Sequence, residues 1–122
     1  SLHPNLQEAE IIFTLDFNAL HRTGEMENVL NQLSAPYIMI DHHQFPHDYA
    51  TYTYSDTIFG STCEMIYNFI TFLGHKNLID KTIATCLYTG ITTDSGSFRF
   101  PSTSGSTERI VADLIDLVIE NI

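Results

Sequence analysis

The sequence predicts an α/β domain with a mainly parallel sheet and helices on both faces, and three observations carry that prediction. Short apolar runs at 11–15 and 37–40 read as strands, and helical spacing separates them. Amphipathic helical patterns recur further along the chain. Acids stand directly behind short segments, as Asp16 does behind 11–15 and Asp41 behind 37–40. Open α/β sheets bind ligands beyond the carboxyl ends of their strands.

Residues 1–10 are polar and form a loop or a short leading element. The strand at 11–15 leads into a loop at 17–24. A helix is expected over 25–33, with Met26, Val29, Leu30 and Leu33 on one face. Pro36 closes it, and the strand at 37–40 follows. This βαβ arrangement implies a parallel pair and a right-handed crossover. A polar loop at 44–50 precedes 51–54, whose threonines and tyrosines favour a short strand.

Ser61-Thr62-Cys63-Glu64 reads as a capping box, with Glu64 reaching back to Ser61. The helix it starts carries Met65, Ile66, Phe69, Ile70 and Leu73 on one face, and Gly74 ends it. Asp80 caps the next helix, expected to bury Ile83, Cys86 and Leu87. After Asp94 and Gly96 comes a short extended piece at 98–100, stopped by Pro101. The last helix begins near Thr103 or Ser104 and faces its core with Ile110, Val111, Leu114, Ile115 and Val118.

At 122 residues the chain has room for one domain with one core. Its formal net charge of -10 argues against binding long nucleic acid through a basic face. Phosphate ligands stay open, because bound cations invert the local field. No apolar stretch reaches the length of a membrane span, and the start carries no signal pattern. Cys63 and Cys86 fall in apolar helical patterns, so buried free thiols and a reducing, cytoplasmic setting are expected.

Asp16, Asp41, His42, His43 and Asp94 each follow an apolar or small-residue stretch. Carboxylates and imidazoles converging on one sheet edge make a ligand set for divalent metal. Carboxylates suit Mn²⁺ or Mg²⁺, and imidazole shifts the choice towards Mn²⁺. Two such ions would favour phosphate ester hydrolysis. His3, His21, His47 and His75 read as solvated loop residues.

Asp41-His42-His43 resembles the name-giving motif of the DHH phosphoesterase superfamily. The run from Leu15 and Asp16 to Arg22-Thr23-Gly24 resembles that family's second motif. Gly90-Ile91-Thr92-Thr93-Asp94-Ser95-Gly96-Ser97-Phe98-Arg99-Phe100 resembles its fourth. The motifs stand in family order across 15–100 and are most similar to the branch of oligoribonucleases and 3′-phosphoadenosine-5′-phosphate phosphatases, with exopolyphosphatase-related members. The resemblance implies a Mn²⁺-dependent phosphoesterase in which a hydroxide activated by two metals attacks the phosphate. Asp16 would bridge two Mn²⁺ ions, with Mg²⁺ as the alternative metal. His42 and Asp94 would complete the second metal site. Asp41 would orient the histidine, and His43 would contact the scissile phosphate. Arg99 and Arg22 would meet substrate phosphate, with surface salt bridging as the competing role.

The implied substrate is a short oligonucleotide or a nucleotide phosphate, with a homodimer as a candidate assembly. A family II pyrophosphatase-like or polyphosphate-cleaving enzyme is the alternative within the class. A non-catalytic nucleotide-binding module is the alternative outside it. Residues 1–10 hold no match to the family's first motif, a His-x-x-x-Asp-x-Asp-like run. No glycine-rich Gly-Gly-His run follows Ile122. The resemblance therefore implies that 1–122 form a partial DHH domain, without the C-terminal substrate-binding domain and inactive alone.

Overall fold

A computed structural model describes residues 3–94 and 104–120. The chain divides into two compact units, Ser1–Thr57 and Ile58–Ile122.

In the first unit, a short helix α1 (His3–Glu8) precedes strand β1 (Ile12–Leu15). A 3-10 segment (Leu20–Met26) and one α-helical turn, α2 (Glu27–Leu30), lead to β2 (Tyr37–Asp41) and then β3 (Tyr52–Ser55). The order is β1-β2-β3, and both pairings are parallel. This is the α/β architecture expected. The helix expected over 25–33 is shorter, α-helical only over Glu27–Leu30, and Gly24 breaks the 3-10 segment before it at φ 66, ψ -124. Only glycine reaches that conformation without strain. Of the face expected there, Leu30 is buried and Met26 is exposed.

The sheet buries what its sequence suggests. In β2, Met39, Ile40 and Asp41 are buried. In β1 the residues alternate, with Ile12 and Thr14 buried and Phe13 and Leu15 exposed. Ile12, Leu20, Leu30 and Tyr37 form the core of this unit, and Phe17, Leu33 and Tyr49 pack against it. The Tyr37 hydroxyl donates to the Leu30 carbonyl, which ties the end of α2 to β2.

The second unit contains α3 (Thr62–Phe72), a 3-10 turn (Lys76–Leu78), α4 (Lys81–Asp94) and α5 (Gly105–Glu120). Its core is Tyr67, Ile79, Ala84, Leu87, Ile91, Ile110, Val111 and Leu114. The caps at Asp80 and Ser104 form as expected. Asp80 Oδ1 accepts from Ile83 N–H at 2.8 Å, and Ser104 Oγ accepts from Thr107 N–H at 3.2 Å. Gly74 N–H and His75 N–H donate to the Thr71 and Ile70 carbonyls, closing α3 where expected.

Five expectations for this unit need correction. Ser61 Oγ accepts from Glu64 N–H at 3.2 Å, yet the Glu64 side chain does not reach back. It accepts instead from Thr107 Oγ1, 2.9 Å from both carboxylate oxygens. Cys86 is exposed rather than core, and Cys63 is half-buried; both are free thiols. The buried stripe of α4 is Ala84, Leu87 and Ile91, which puts Ile83 and Cys86 at its margins. Leu73 and Ile115 are likewise exposed. Lastly, 90–94 is the end of α4, so Asp94 follows a helix and not a strand. Thr85, Thr89 and Thr93 each donate a hydroxyl hydrogen bond to the carbonyl four residues back along that helix. Among the described residues, no helix is long and apolar enough to cross a membrane.

Candidate metal centre

Parallel pairing brings the carboxyl ends of β1 and β2 together. Leu15 lies opposite Ile40, and Asp16 N–H donates to the Ile40 carbonyl at 3.0 Å. Asp16 thereby stands beside the segment that begins at Asp41. Its backbone is left-handed, at φ 70. Aspartate tolerates that region better than most residues, at some cost in strain.

Asp16, His42 and His43 each offer a ligand atom, and those atoms lie within 4.8 Å of one another. His42 Nε2 is 3.5 Å from Asp16 Oδ1. The two imidazole centroids are 4.4 Å apart. Such a group of carboxylate and imidazole donors fits a borderline-hard divalent cation.

Asp41 is wholly buried behind the cluster and grips His43 twice. Its Oδ2 accepts from His43 N–H at 2.9 Å, and its Oδ1 lies 2.7 Å from His43 Nδ1. A carboxylate only accepts, so Nδ1 is the donor and Nε2 is left as the ring's other ligand atom. The histidine that Asp41 orients is therefore His43.

Asn18 is a site residue that the sequence reasoning missed. It is almost fully buried, and its Nδ2 donates to the carbonyls of His43 and Gln44 at 3.2 and 3.0 Å. Its own carbonyl accepts from His47 N–H at 2.8 Å. Thr14 Oγ1 and the Tyr49 hydroxyl, 2.7 Å apart, add a further link. The loop after β1 and the loop after β2 are thus stitched together. An asparagine behind an aspartate is an ordinary loop sequence, and nothing in it announces this role.

The other expected site residues are distributed as follows. Arg22 lines a cavity in the first unit together with Asp16 and His43. Asp94 belongs to the second unit, where it is exposed at the end of α4. Arg99 lies outside the described residues.

Residues 2–91 match the family described as DHH family, N-terminal domain. The chain belongs to the DHH family. An uncharacterized protein of Mycoplasma genitalium is 35% identical over 97 residues, which is 77% of this chain and 29% of that protein. The bifunctional oligoribonuclease and PAP phosphatase NrnA of Bacillus subtilis is 33% identical over 82 residues, covering 66% of this chain and 26% of that one. A crystal structure of an exopolyphosphatase-related protein from Bacteroides fragilis superposes with a TM-score of 0.91 at 36% identity, covering 93% of this chain and 34% of that one. A putative family II inorganic pyrophosphatase from Methanococcus jannaschii shares the fold, with a TM-score of 0.68 at 18% identity. This DHH chain spans 29% and 26% of those two curated relatives.

Proposed function

We propose that the whole protein is a metal-dependent phosphoesterase that uses Mn²⁺ and cleaves short oligonucleotides or nucleotide phosphates such as 3′-phosphoadenosine-5′-phosphate. The observation that carries this reading is the Asp16–His42–His43 cluster, backed by buried Asp41, in a chain of the DHH family. The activities named for the NrnA relatives supply the substrate class.

Asp16 and His42 would hold the metal, and Asp94 is proposed as a further ligand only from its resemblance to the family's fourth motif. Bound cations supply positive charge that polarises a phosphoryl oxygen and acidifies water. His43, fixed by Asp41 through Nδ1, would meet the phosphate with Nε2, which donates when the ring carries both protons. Arg22 holds a phosphate oxygen from the cavity wall, and Arg99 does the same from the segment after α4. Both guanidinium groups suit bidentate contact with phosphate.

The test uses the full-length protein with a dinucleotide, 3′-phosphoadenosine-5′-phosphate, and inorganic pyrophosphate. Hydrolysis of the first two with Mn²⁺, and its loss in chelator, is the expected result. Turnover of pyrophosphate alone would move the protein to the pyrophosphatase class. No turnover of any of the three with Mn²⁺ or Mg²⁺ would leave a binding module.

A further inference from the structure

Among the described residues, two that are not glycine have positive φ, Asp16 at 70° and Phe45 at 59°. Both line the same cavity of about 240 Å³ in the first unit. Asp16 is explained by the metal centre. Phe45 is not, and three features set it apart from an ordinary surface phenylalanine.

Its ring is 86% exposed, so no packing in the described structure accounts for it. Its backbone is left-handed, a region that bulky side chains avoid. Pro46 follows it, and a residue before proline is normally driven to extended backbone. The conformation is imposed from both sides, because Asn18 holds the Gln44 carbonyl and its own carbonyl holds His47 N–H. Strain of this kind, maintained by surrounding hydrogen bonds, clusters at ligand clamps.

The remaining walls are mostly polar, with Phe17 and Ala19 as their apolar part. Asn18, Arg22, His43 and His47 line the cavity with Asp16 and Phe45. The lining therefore includes Asp16 and His43 of the candidate metal centre and the Arg22 guanidinium group for phosphate. Phe45 adds an exposed aromatic face. The volume falls below that of drug-sized sites, which suits a single nucleoside moiety rather than a longer ligand. We infer that Phe45 is a stacking platform for the nucleobase next to the phosphate held at the metal centre. This rests on the proposed phosphoesterase reading and deepens it, since it makes a nucleoside, not phosphate alone, the recognised group. Base–aromatic stacking tolerates any base. Recognition at Phe45 would thus select nucleotides over inorganic phosphates with little preference among bases.

The experiment measures binding, so it does not depend on turnover. Adenosine 5′-monophosphate and ribose 5-phosphate are titrated calorimetrically into the full-length protein with Mn²⁺. The wild type should bind the nucleotide about ten- to a hundredfold more tightly, the range expected for one stacked base. Phe45→Ala should collapse that preference while leaving ribose 5-phosphate binding unchanged. Phe45→Trp should preserve it. Phe45→Gly, which suits the left-handed backbone, should lose the preference without a lower melting temperature. A wild type that binds both compounds equally overturns the inference. So does a preference that survives in Phe45→Ala and Phe45→Gly, or a variant that weakens both ligands alike. A protein that passes this test and hydrolyses none of its candidate substrates would keep the nucleoside site and lose the phosphoesterase reading.

Discussion

At the scale of single residues, adjacent histidines have different surroundings. His42 is mostly buried and faces Asp16, whereas His43 is half exposed and held by Asp41. Their asparagine variants should therefore fail differently in the full-length protein. His42→Asn would remove the proposed ligand, so excess Mn²⁺ should restore part of the rate. His43→Asn loses the ring whose Nδ1–H is held by Asp41 and whose Nε2, when it also carries a proton, would donate to developing phosphate charge. It should keep its metal affinity and lose turnover by about a hundredfold or more, the scale of a lost oxyanion donor. Metal titrations of activity distinguish the two, and rescue of His43→Asn alone would exchange the roles. A third outcome, near-normal rates for both variants, would make them ordinary loop histidines.

At the scale of elements, Gly90 belongs to a motif that reads as chemistry, yet its local constraint is packing. A Cβ on Gly90 would lie 2.1 Å from Cys63 Sγ, so α3 and α4 cross where only a glycine fits. Gly90→Ala should destabilise by about 1–3 kcal/mol, as overpacking does. Adding Cys63→Ala should recover much of that loss in denaturant melts, whereas simple additivity would place the strain elsewhere. Glu64 makes a second link, from α3 to the first turn of α5. Burial pushes its carboxyl above the usual carboxylate range, and the hydrogen bond from Thr107 pulls the other way. A raised carboxyl holds its proton more tightly when folded. Its stabilising contribution is complete below the unfolded value of about 4.3 and is lost as pH rises through the folded one. Glu64→Gln keeps an acceptor for Thr107 and cannot ionise. Its stability relative to wild type should therefore grow from about pH 4 to pH 7. A difference that stays flat across this range would remove burial as the cause. These links also show what the sequence made legible. Strands, caps and the Asp16–His42–His43 grouping follow from local patterns, because parallel strand ends must lie side by side. Glu64's partner stands 43 positions away and is set by helix docking, which no local pattern encodes. The helical 90–94 segment was hidden for another reason. Glycine and threonine have low helix propensity, and burial of Ala84, Leu87 and Ile91 overrides it.

At the scale of the whole molecule, the chain's formal net charge of -10 complicates any claim about metal. Cations of every kind relieve self-repulsion in an acidic protein, so stabilisation by added Mn²⁺ does not by itself reveal a site. Specific binding differs in two ways. It grows with the logarithm of the free ion concentration, contributing about 2.7 kcal/mol at a hundredfold excess over the dissociation constant. It also depends on particular ligands, whereas screening depends on total charge. Asp16→Ala separates the two, since it removes one acid of fifteen and leaves most of the repulsion in place. The full-length protein should gain several degrees in melting temperature with Mn²⁺ beyond what NaCl of equal ionic strength provides. In Asp16→Ala that excess should vanish while the response to NaCl stays, and the metal-free melting temperature should not fall. An alanine variant that keeps the full Mn²⁺ shift would move the metal away from the β1–β2 edge.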